Sequence, residues 1–295
     1  MLIQSVAINI NRVQSFVEAI RPYNMMSGVL LFNIGFFLAT DKINANYFVG
    51  VAVIILAFAY ATLQNDVEDI AIDRINAPNS IIASGKLSFE EVSNFNTVLL
   101  LGLLVLSLYN FPRHLIPVLF TIIIIWLYNK PPLLLSRKPI SSIIILALMY
   151  STVPLYYGYY SSGAMVVNHY LFLLILAWFF VRISVSILKD YKDAHGDKIY
   201  NKRTFYLTFG GRMTALGSMI CGLLGYLGIL TAIFLITRSF WPFILLTPLM
   251  LWTLYLRLTL FSTKDVKILS RTFRRIFFGQ NPLDLIFLLC LILLK

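Results

Sequence analysis

Long apolar stretches alternate with short polar ones from about residue 24 to the end of the chain. Nine of these stretches are long enough to cross a lipid bilayer as a helix, or nearly so. Several fall below the roughly twenty residues that a helix perpendicular to the bilayer needs. The predicted spans are residues 24–40, 47–64, 92–110, 114–129, 141–160, 169–189, 213–236, 240–260 and 282–294. The pattern therefore predicts an all-α membrane protein with nine transmembrane helices, forming a single domain over residues 1–295.

Composition supports this prediction and narrows the class of protein. Hydrophobic residues make up 59% of the chain and charged residues only 13%, and the mean hydropathy is +0.82, which excludes an ordinary soluble globule. The N-terminal segment is polar until about residue 24 and lacks the short apolar core of a signal peptide. The net charge of +11 is explained by basic residues that flank membrane spans and meet anionic lipid headgroups. We therefore expect contact with membrane lipid and no nucleic-acid partner.

The distribution of basic residues predicts the orientation of the chain. With the N-terminus in the cytoplasm, eighteen of the 24 Lys and Arg residues fall on the cytoplasmic side and four on the opposite side. The remaining two, Arg182 and Arg257, lie within predicted spans. This excess follows the positive-inside rule and places the two long polar loops, residues 65–91 and 190–212, in the cytoplasm. We expect a multi-pass protein of the cell's inner or plasma membrane whose functional site faces the cytoplasm.

Each of the two long loops carries three aspartates with the same spacing. Positions i, i+3 and i+7 lie on one face of a helix, where three like charges repel one another. The triads are Asp66, Asp69 and Asp73, and Asp190, Asp193 and Asp197. A divalent cation reverses that repulsion, because carboxylate oxygens suit Mg²⁺, which shares its remaining positions with substrate phosphates. We therefore predict a two-sided Mg²⁺–diphosphate site; the alternatives are a solvated acidic helix start for the first triad and a mixed-charge loop for the second.

A few residues outside the triads carry further predictions. Gly196 is expected to permit a tight turn that wraps a ligand. Arg182 precedes Asp190 by eight residues and Asp193 by eleven, so it is expected on the same cavity-facing side of a helix. There it either forms a salt bridge to one of these aspartates or anchors a diphosphate or an acceptor carboxylate. Arg257, near the end of a span, is expected to snorkel.

Four tyrosines cluster near the end of the fifth predicted span. They are Tyr156, Tyr157, Tyr159 and Tyr160. Tyrosines are enriched at membrane–water interfaces, so the favoured interpretation is an interfacial aromatic belt. The alternative is that their ring faces line a cavity and stabilise an allylic cation.

The motifs resemble those of the UbiA superfamily of intramembrane prenyltransferases. The family pattern N-D-x-x-D-x-x-x-D stands here as Asn65, Asp66, Asp69 and Asp73, and D-x-x-D-x-x-G-D as Asp190, Asp193, Gly196 and Asp197. Shorter matches are R-P-x-N at Arg21, Pro22 and Asn24, K-R-T at Lys202, Arg203 and Thr204, and a Tyr with Pro-Pro and basic residues at Tyr128, Pro131, Pro132, Arg137 and Lys138. The resemblance covers nearly the whole chain. It implies nine helices around a central cavity, cytoplasmic cap loops, and Mg²⁺ bridging a polyprenyl diphosphate.

Candidate site residues follow from the motifs and this resemblance. The expected metal ligands are Asn65, Asp66, Asp69, Asp73, Asp190, Asp193 and Asp197, of which Asp66, Asp69, Asp190 and Asp193 are also the expected catalytic carboxylates. Substrate-binding candidates are Arg21, Asn24, Asn65, Lys130, Arg137, Arg182, Lys198, Lys202 and Arg203. Tyr128 is expected near the reacting carbon. The chain departs from the family where Ser80–Ile81 replaces an Arg-Pro pair and where Leu135–Ser136 replaces Leu-Lys, which makes Arg137 or Lys138 a candidate substitute.

The resemblance implies Mg²⁺-dependent transfer of a prenyl group to a small-molecule acceptor, most often an aromatic ring on the way to a quinone. The sequence leaves three alternatives open. The N-D-x-x-D-x-x-x-D-R-x-N-x-P run also resembles family members that alkylate a glycerol-phosphate lipid. Ionisation of the diphosphate without an acceptor would make the protein a terpene cyclase. A cation-coupled transporter would use intramembrane carboxylates as well, but near the bilayer midplane.

Overall fold

The computed structural model describes residues 2–263 and 265–295, with side chains from residue 11 onward. Lys264, one of the eighteen basic residues assigned to the cytoplasmic side, lies outside the described residues. Within them the chain forms fourteen α-helices and no strand. The helices are α1 (Leu2–Ala19), α2 (Pro22–Ala39), α3 (Ala45–Glu68), α4 (Ile70–Asn76), α5 (Phe89–Ser107), α6 (Leu115–Asn129), α7 (Pro139–Ala147), α8 (Val153–Ser161), α9 (His169–Ser186), α10 (Ala194–Ile199), α11 (Phe205–Thr237), α12 (Trp241–Leu258), α13 (Val266–Phe278) and α14 (Gln280–Leu294).

Eight segments of the described chain are long and apolar enough to cross a membrane, which confirms the all-α membrane bundle. Each predicted span overlaps one of these segments or α6. The predicted count of nine is not confirmed, because α6 has only 15 residues and extends about 22 Å at 1.5 Å per residue, short of the roughly 30 Å hydrocarbon core. The fifth predicted span is α7 and α8 joined by one π-helical turn, Leu148–Thr152.

Local sequence explains where several helices begin. The side chains of Asn44, Asn168 and Thr204 each accept a hydrogen bond from a backbone N–H in the first turn of the helix that follows. Ser88 and Glu91 form a reciprocal capping box at the start of α5. These polar caps satisfy backbone donors that a helix start leaves open. They fix the first residues of apolar helices whose own composition gives no sharp boundary.

Small residues allow α2 and α8 to pack with their backbones in contact. A Cβ added at Gly35 would lie 1.9 Å from the carbonyl oxygen of Leu155, and one at Gly158 would lie 1.9 Å from that of Phe32. In lipid, close approach of this kind replaces the hydrophobic drive that packs helices in water. The contact brings Tyr157, on α8, into the interior.

The tyrosine cluster is consequently divided between the interior and the bundle surface. Tyr157 and Tyr159 are buried, and the Tyr157 hydroxyl lies 2.6 Å from His114 Nδ1. Tyr156 and Tyr160 stack on each other with ring centroids 6.0 Å apart. A single interfacial belt is therefore wrong for Tyr157 and Tyr159, because packing of α8 against α2 turns them inward.

Arg257 does not snorkel. Its side chain is fully buried on α12, where Nη2 donates to Ser184 Oγ at 2.7 Å, Nε to Ser218 Oγ at 3.2 Å and Nη1 to the Thr253 carbonyl at 2.9 Å. Gly222 on α11 makes room for the guanidinium, since a Cβ there would lie 3.1 Å from Nε. The residue therefore joins α9, α11 and α12 in the interior of the bundle.

Candidate active site

A cavity of about 640 Å³ lies among α2, α3, α4, α6, α7, α8, α9, α10, α13 and α14, within the size range of ligand pockets. All six triad aspartates line it, together with Asn65 and Asn76. The rest of its wall is largely apolar, including Val53, Ile54, Phe58, Val118, Ile124, Ile125, Leu146, Met149 and Val153. The two triads, separated by more than a hundred residues in sequence, therefore share a single space with a carboxylate-rich region and a lipid-like region.

The first triad does not lie on one uninterrupted helix. Asp66 belongs to the last turn of α3, Asp69 stands at the junction of α3 and α4, and Asp73 lies on α4. The backbone at Asp69 departs from helical geometry, with φ −94° and ψ 9°. Even so, the N–H of Asp69 bonds the Asn65 carbonyl and that of Asp73 bonds the Asp69 carbonyl, at 2.9 and 2.8 Å. This near-helical continuation keeps all three carboxylates on the cavity side.

The second triad follows the same design at the end of α9. Asp190 lies in a short 3-10 turn, Asp193 precedes α10, and Asp197 lies within α10. Asp190 and Asp197 are buried. Both triads thus lie where a long membrane helix ends and a short helix begins. Their side chains line the cavity.

Gly196 has a different role from the tight turn that was predicted. It lies inside α10, and its N–H donates to Asn76 Oδ1 at 2.7 Å. A Cβ at this position would lie 2.6 Å from the same oxygen. The missing side chain therefore lets α10 dock against α4, which brings the second motif to the first.

Lys202 forms a second connection between the two halves of the site. Its Nζ donates to Asp69 Oδ2 at 2.7 Å. Burial alone would lower the pKa of Lys202, but the charge and hydrogen bond of Asp69, together with Tyr128, raise it overall. The side chain is therefore a permanent cation on the cavity wall.

Burial disfavours the charged state of several site carboxylates. It raises the pKa of Asp197 to about 7, and it raises the pKa of Asp73, with the neighbouring Asp69 charge adding to the shift. Buried carboxylates without enough positive charge around them are stabilised by any cation that approaches.

Two observations bear on whether a divalent cation fits here. Asp190 Oδ2 is buried and has no hydrogen-bond partner among the described residues, so one oxygen is free to coordinate. Within residues 2–263 and 265–295, no three acidic, histidine or cysteine side chains close around one point. The carboxylates instead flank an open space, which suits Mg²⁺, since this ion uses one or two carboxylates and takes its other ligands from water and phosphate.

Two arginines meet carboxylates in the cavity wall. Arg21 Nη2 contacts Asp66 Oδ2 at 2.7 Å. Arg182 lines the cavity as predicted, but the salt bridge expected to Asp190 or Asp193 is wrong. Its partner is the fully buried Asp284 of α14, which also accepts from the Trp178 Nε1–H at 2.8 Å. An aspartate 102 residues away in an apolar segment gave no sequence signal for this pairing.

Four of the substrate-binding candidates do not line the cavity. They are Lys130, Arg137, Lys198 and Arg203. Lys130 forms an ion pair with Glu68 beside a separate small pocket between α3 and α5. Arg137, proposed as a substitute cation, lies on a short 3-10 turn after the Pro-Pro pair. The remaining candidates, Arg21, Asn24, Asn65, Arg182 and Lys202, do line the cavity, as does Tyr128.

Other cavity residues were not singled out from the sequence. Lys189 Nζ donates to the Tyr128 hydroxyl at 3.1 Å, and Lys192, Arg274 and Asn281 also line the wall. Lys189 and Lys192 adjoin the second triad, so proximity to the motif was an available signal. Arg274 and Asn281 lie about 80 residues beyond it, and only the packing of α13 and α14 brings them there.

The sequence and the fold are both similar to those of known proteins. The sequence profile described as the UbiA prenyltransferase family matches residues 28–281. A digeranylgeranylglyceryl phosphate synthase from Sulfolobus acidocaldarius is 29% identical over 214 residues, which cover 72% of this chain and 76% of the relative. A solved structure concerned with a digeranylgeranylglyceryl phosphate synthase superimposes with a TM-score of 0.69 at 22% identity, covering 95% and 99% of the two chains. A UbiA homologue from Archaeoglobus fulgidus bound to GPP and Mg²⁺ gives 0.66 at 17% identity, covering 91% and 99%.

Proposed function

The chain belongs to the UbiA prenyltransferase family, and from this premise we propose that it transfers a prenyl group from a polyprenyl diphosphate to a hydroxyl of a glycerol-phosphate lipid. The observation that carries the proposal is the shared cavity, in which two aspartate triads adjoin a largely apolar wall. The carboxylate region suits a diphosphate with its cation, and the apolar region suits an isoprenoid chain.

The proposed acceptor differs from the aromatic ring that the family resemblance most often implies. Curated relatives from several archaea are named digeranylgeranylglyceryl phosphate synthases, which supports the glycerol-phosphate lipid instead. The substitutions at Ser80–Ile81 and Leu135–Ser136, seen as departures, are consistent with a different acceptor. A transporter is set aside, because the triads lie at or just after the ends of α3 and α9, whereas a transporter is expected to bind its ion near the bilayer midplane.

The reaction breaks the bond between C1 of the prenyl group and the diphosphate oxygen, and the electron pair leaves with the diphosphate. A new ether bond forms between C1 and the acceptor hydroxyl oxygen, which releases its proton. Mg²⁺, when bound, supplies positive charge against the departing diphosphate. Mg²⁺ dependence is supported by the UbiA homologue structures bound to Mg²⁺ with GPP or DMAPP.

The chain's own residues would hold the substrates and exclude water. Asp66, Asp69, Asp190 and Asp193 would hold the cation, and Lys202 adds a fixed positive charge beside Asp69. The Tyr128 ring, which lines the cavity and is 7% exposed, would face the positive charge that develops on the prenyl group. The apolar wall would keep water away from that charge.

A product assay tests the proposal. Purified protein, Mg²⁺ and a polyprenyl diphosphate are incubated with a monoalkyl glycerol phosphate, with an aromatic acid, or with no acceptor. We expect an ether-linked lipid only with the glycerol phosphate, loss of product on chelation of Mg²⁺, and loss of at least 100-fold in Asp66→Ala and Asp193→Ala. A prenylated aromatic ring, or a cyclised product without acceptor, would overturn the proposal.

A further inference from the structure

Helix α13 carries a basic face beside the cavity. Its apolar residues Leu269 and Ile276 are buried in one cluster with Leu188 and Tyr191, which flank Asp190 in sequence. This packing holds α13 against the second triad. The exposed side of α13 carries four cations, Lys267, Arg271, Arg274 and Arg275, and no acidic residue.

Only one of these four, Arg274, lines the cavity. Five other cations line it, and each engages a partner. The contacts are Arg21 with Asp66 at 2.7 Å, Arg182 with Asp284, Lys189 with the Tyr128 hydroxyl at 3.1 Å, Lys192 with Asp193 at 3.5 Å and Lys202 with Asp69 at 2.7 Å. Arg274 makes no hydrogen bond or ion pair with any described side chain. It is therefore the cavity cation with its full donor set available.

We propose that Arg274 binds the phosphate of the acceptor lipid, an inference that rests on the proposed function. That reaction brings two phosphorylated substrates into one cavity, and the aspartate triads repel an anion unless a metal ion accompanies it. The diphosphate arrives with Mg²⁺, whereas the acceptor phosphate needs a cation that the protein supplies. A guanidinium meets this need because it binds phosphate oxygens through two parallel hydrogen bonds.

The surroundings of Arg274 suit an amphipathic ligand. Phe273 and Phe277, the residue before it and one three residues after it on α13, line the same cavity. The rim therefore offers a charged donor next to aromatic surface, matching a phosphate headgroup joined to an apolar chain. A free inorganic phosphate would use only the first of these features.

The test compares two acceptors that differ only in the phosphate, a monoalkyl glycerol phosphate and the same alkylglycerol without it. Wild-type protein is expected to prefer the phosphorylated acceptor by about 10- to 100-fold in kcat/KM, the size of a charge-assisted hydrogen-bond pair. Arg274→Gln should remove most of that preference and leave the KM for the prenyl diphosphate unchanged, while Arg274→Lys restores part of it. Arg271→Gln is the matched control, because it removes the same charge from the same helix away from the cavity.

Two results of the activity assay overturn the inference, and a binding measurement decides it if no activity is found. Equal use of both acceptors by wild-type protein would show that no residue recognises the acceptor phosphate. The proposed prenyl-transfer activity would still hold. Equal losses in Arg274→Gln and Arg271→Gln would assign the basic face to bulk anionic lipid. If no transfer occurs at all, the proposed function fails, and equilibrium binding of the alkyl glycerol phosphate still decides: binding weakened by Arg274→Gln alone supports the inference, and equal binding by all variants refutes it.

Discussion

Gly196 and Asn76 show how single residues join the two halves of the site. The Asn76 side chain fills the space that a Cβ at Gly196 would occupy, 2.6 Å from its Oδ1, and accepts the Gly196 N–H at 2.7 Å. The contact spans 120 residues of sequence. It aligns α10 with α4, and through them Asp193 and Asp197 with Asp69 and Asp73.

We predict that Gly196→Ala lowers kcat by about 10- to 100-fold, because a displacement of the order of 1 Å in positioned groups costs that much. Since the change lies at the cavity edge of a short helix, we expect the thermal unfolding temperature to stay close to that of the wild type. Gly211→Ala is the control, as its Cβ would meet nothing nearer than 3.6 Å. Activity within twofold of wild type in Gly196→Ala would show that the docking of α10 on α4 does not position the carboxylates.

At the scale of elements, helix packing follows two different rules in this bundle. Glycines bring α2 against α8 and α11 against α9, where a Cβ at Gly225 would lie 2.8 Å from the Ala177 carbonyl oxygen. Polar contacts add to this around Arg257, whose guanidinium reaches α9, α11 and its own helix. Among the described residues no carboxylate lies within ion-pair distance of Arg257, so hydroxyls and a carbonyl carry its hydrogen bonds.

We predict that Arg257→Ala destabilises the bundle by about 3 kcal/mol, since it leaves a cavity and strips partners from buried hydroxyls. Burial of a charge without a counter-ion has its own cost, so Arg257→Met, which keeps much of the volume, should destabilise less. Unfolding in detergent by heat or denaturant measures both variants, with exposed Arg271→Ala as reference. A stability for Arg257→Ala equal to that reference would mean that the hydrogen bonds contribute nothing net.

At the scale of the whole molecule, a crossing by α6 in addition to the eight longer segments predicts the triad segments on one side of the bundle and the connection around residue 166 on the other. From the excess of basic residues we predict that the triad side faces the cytoplasm. In that orientation the carboxylates, the cationic cavity wall and the basic face of α13 would all lie at the leaflet that faces the cytoplasm, where Mg²⁺ and the released diphosphate have access to water.

This orientation predicts the outcome of cysteine labelling in cells. In a background that lacks Cys221 and Cys290, a membrane-impermeant maleimide should label Val166→Cys in intact cells, since Val166 is 80% exposed. It should label Asn79→Cys, in the loop after α4, only after permeabilisation. The reverse pattern would place the active site on the outside.

Local chemistry in the sequence was sufficient for the membrane bundle, the positions of its spans and the two aspartate triads. Runs of apolar residues and repeated carboxylates act through spacing along the chain, so they can be recognised without knowing the fold. Other features depended on the tertiary structure. They are the partners of Arg182 and Arg257, the docking of Gly196 on Asn76, and the placement of Lys130 outside the cavity and of Arg274 on its wall. Each depends on which faces of distant helices meet, and in lipid that choice follows from small-residue packing and buried hydrogen bonds, which no local pattern records.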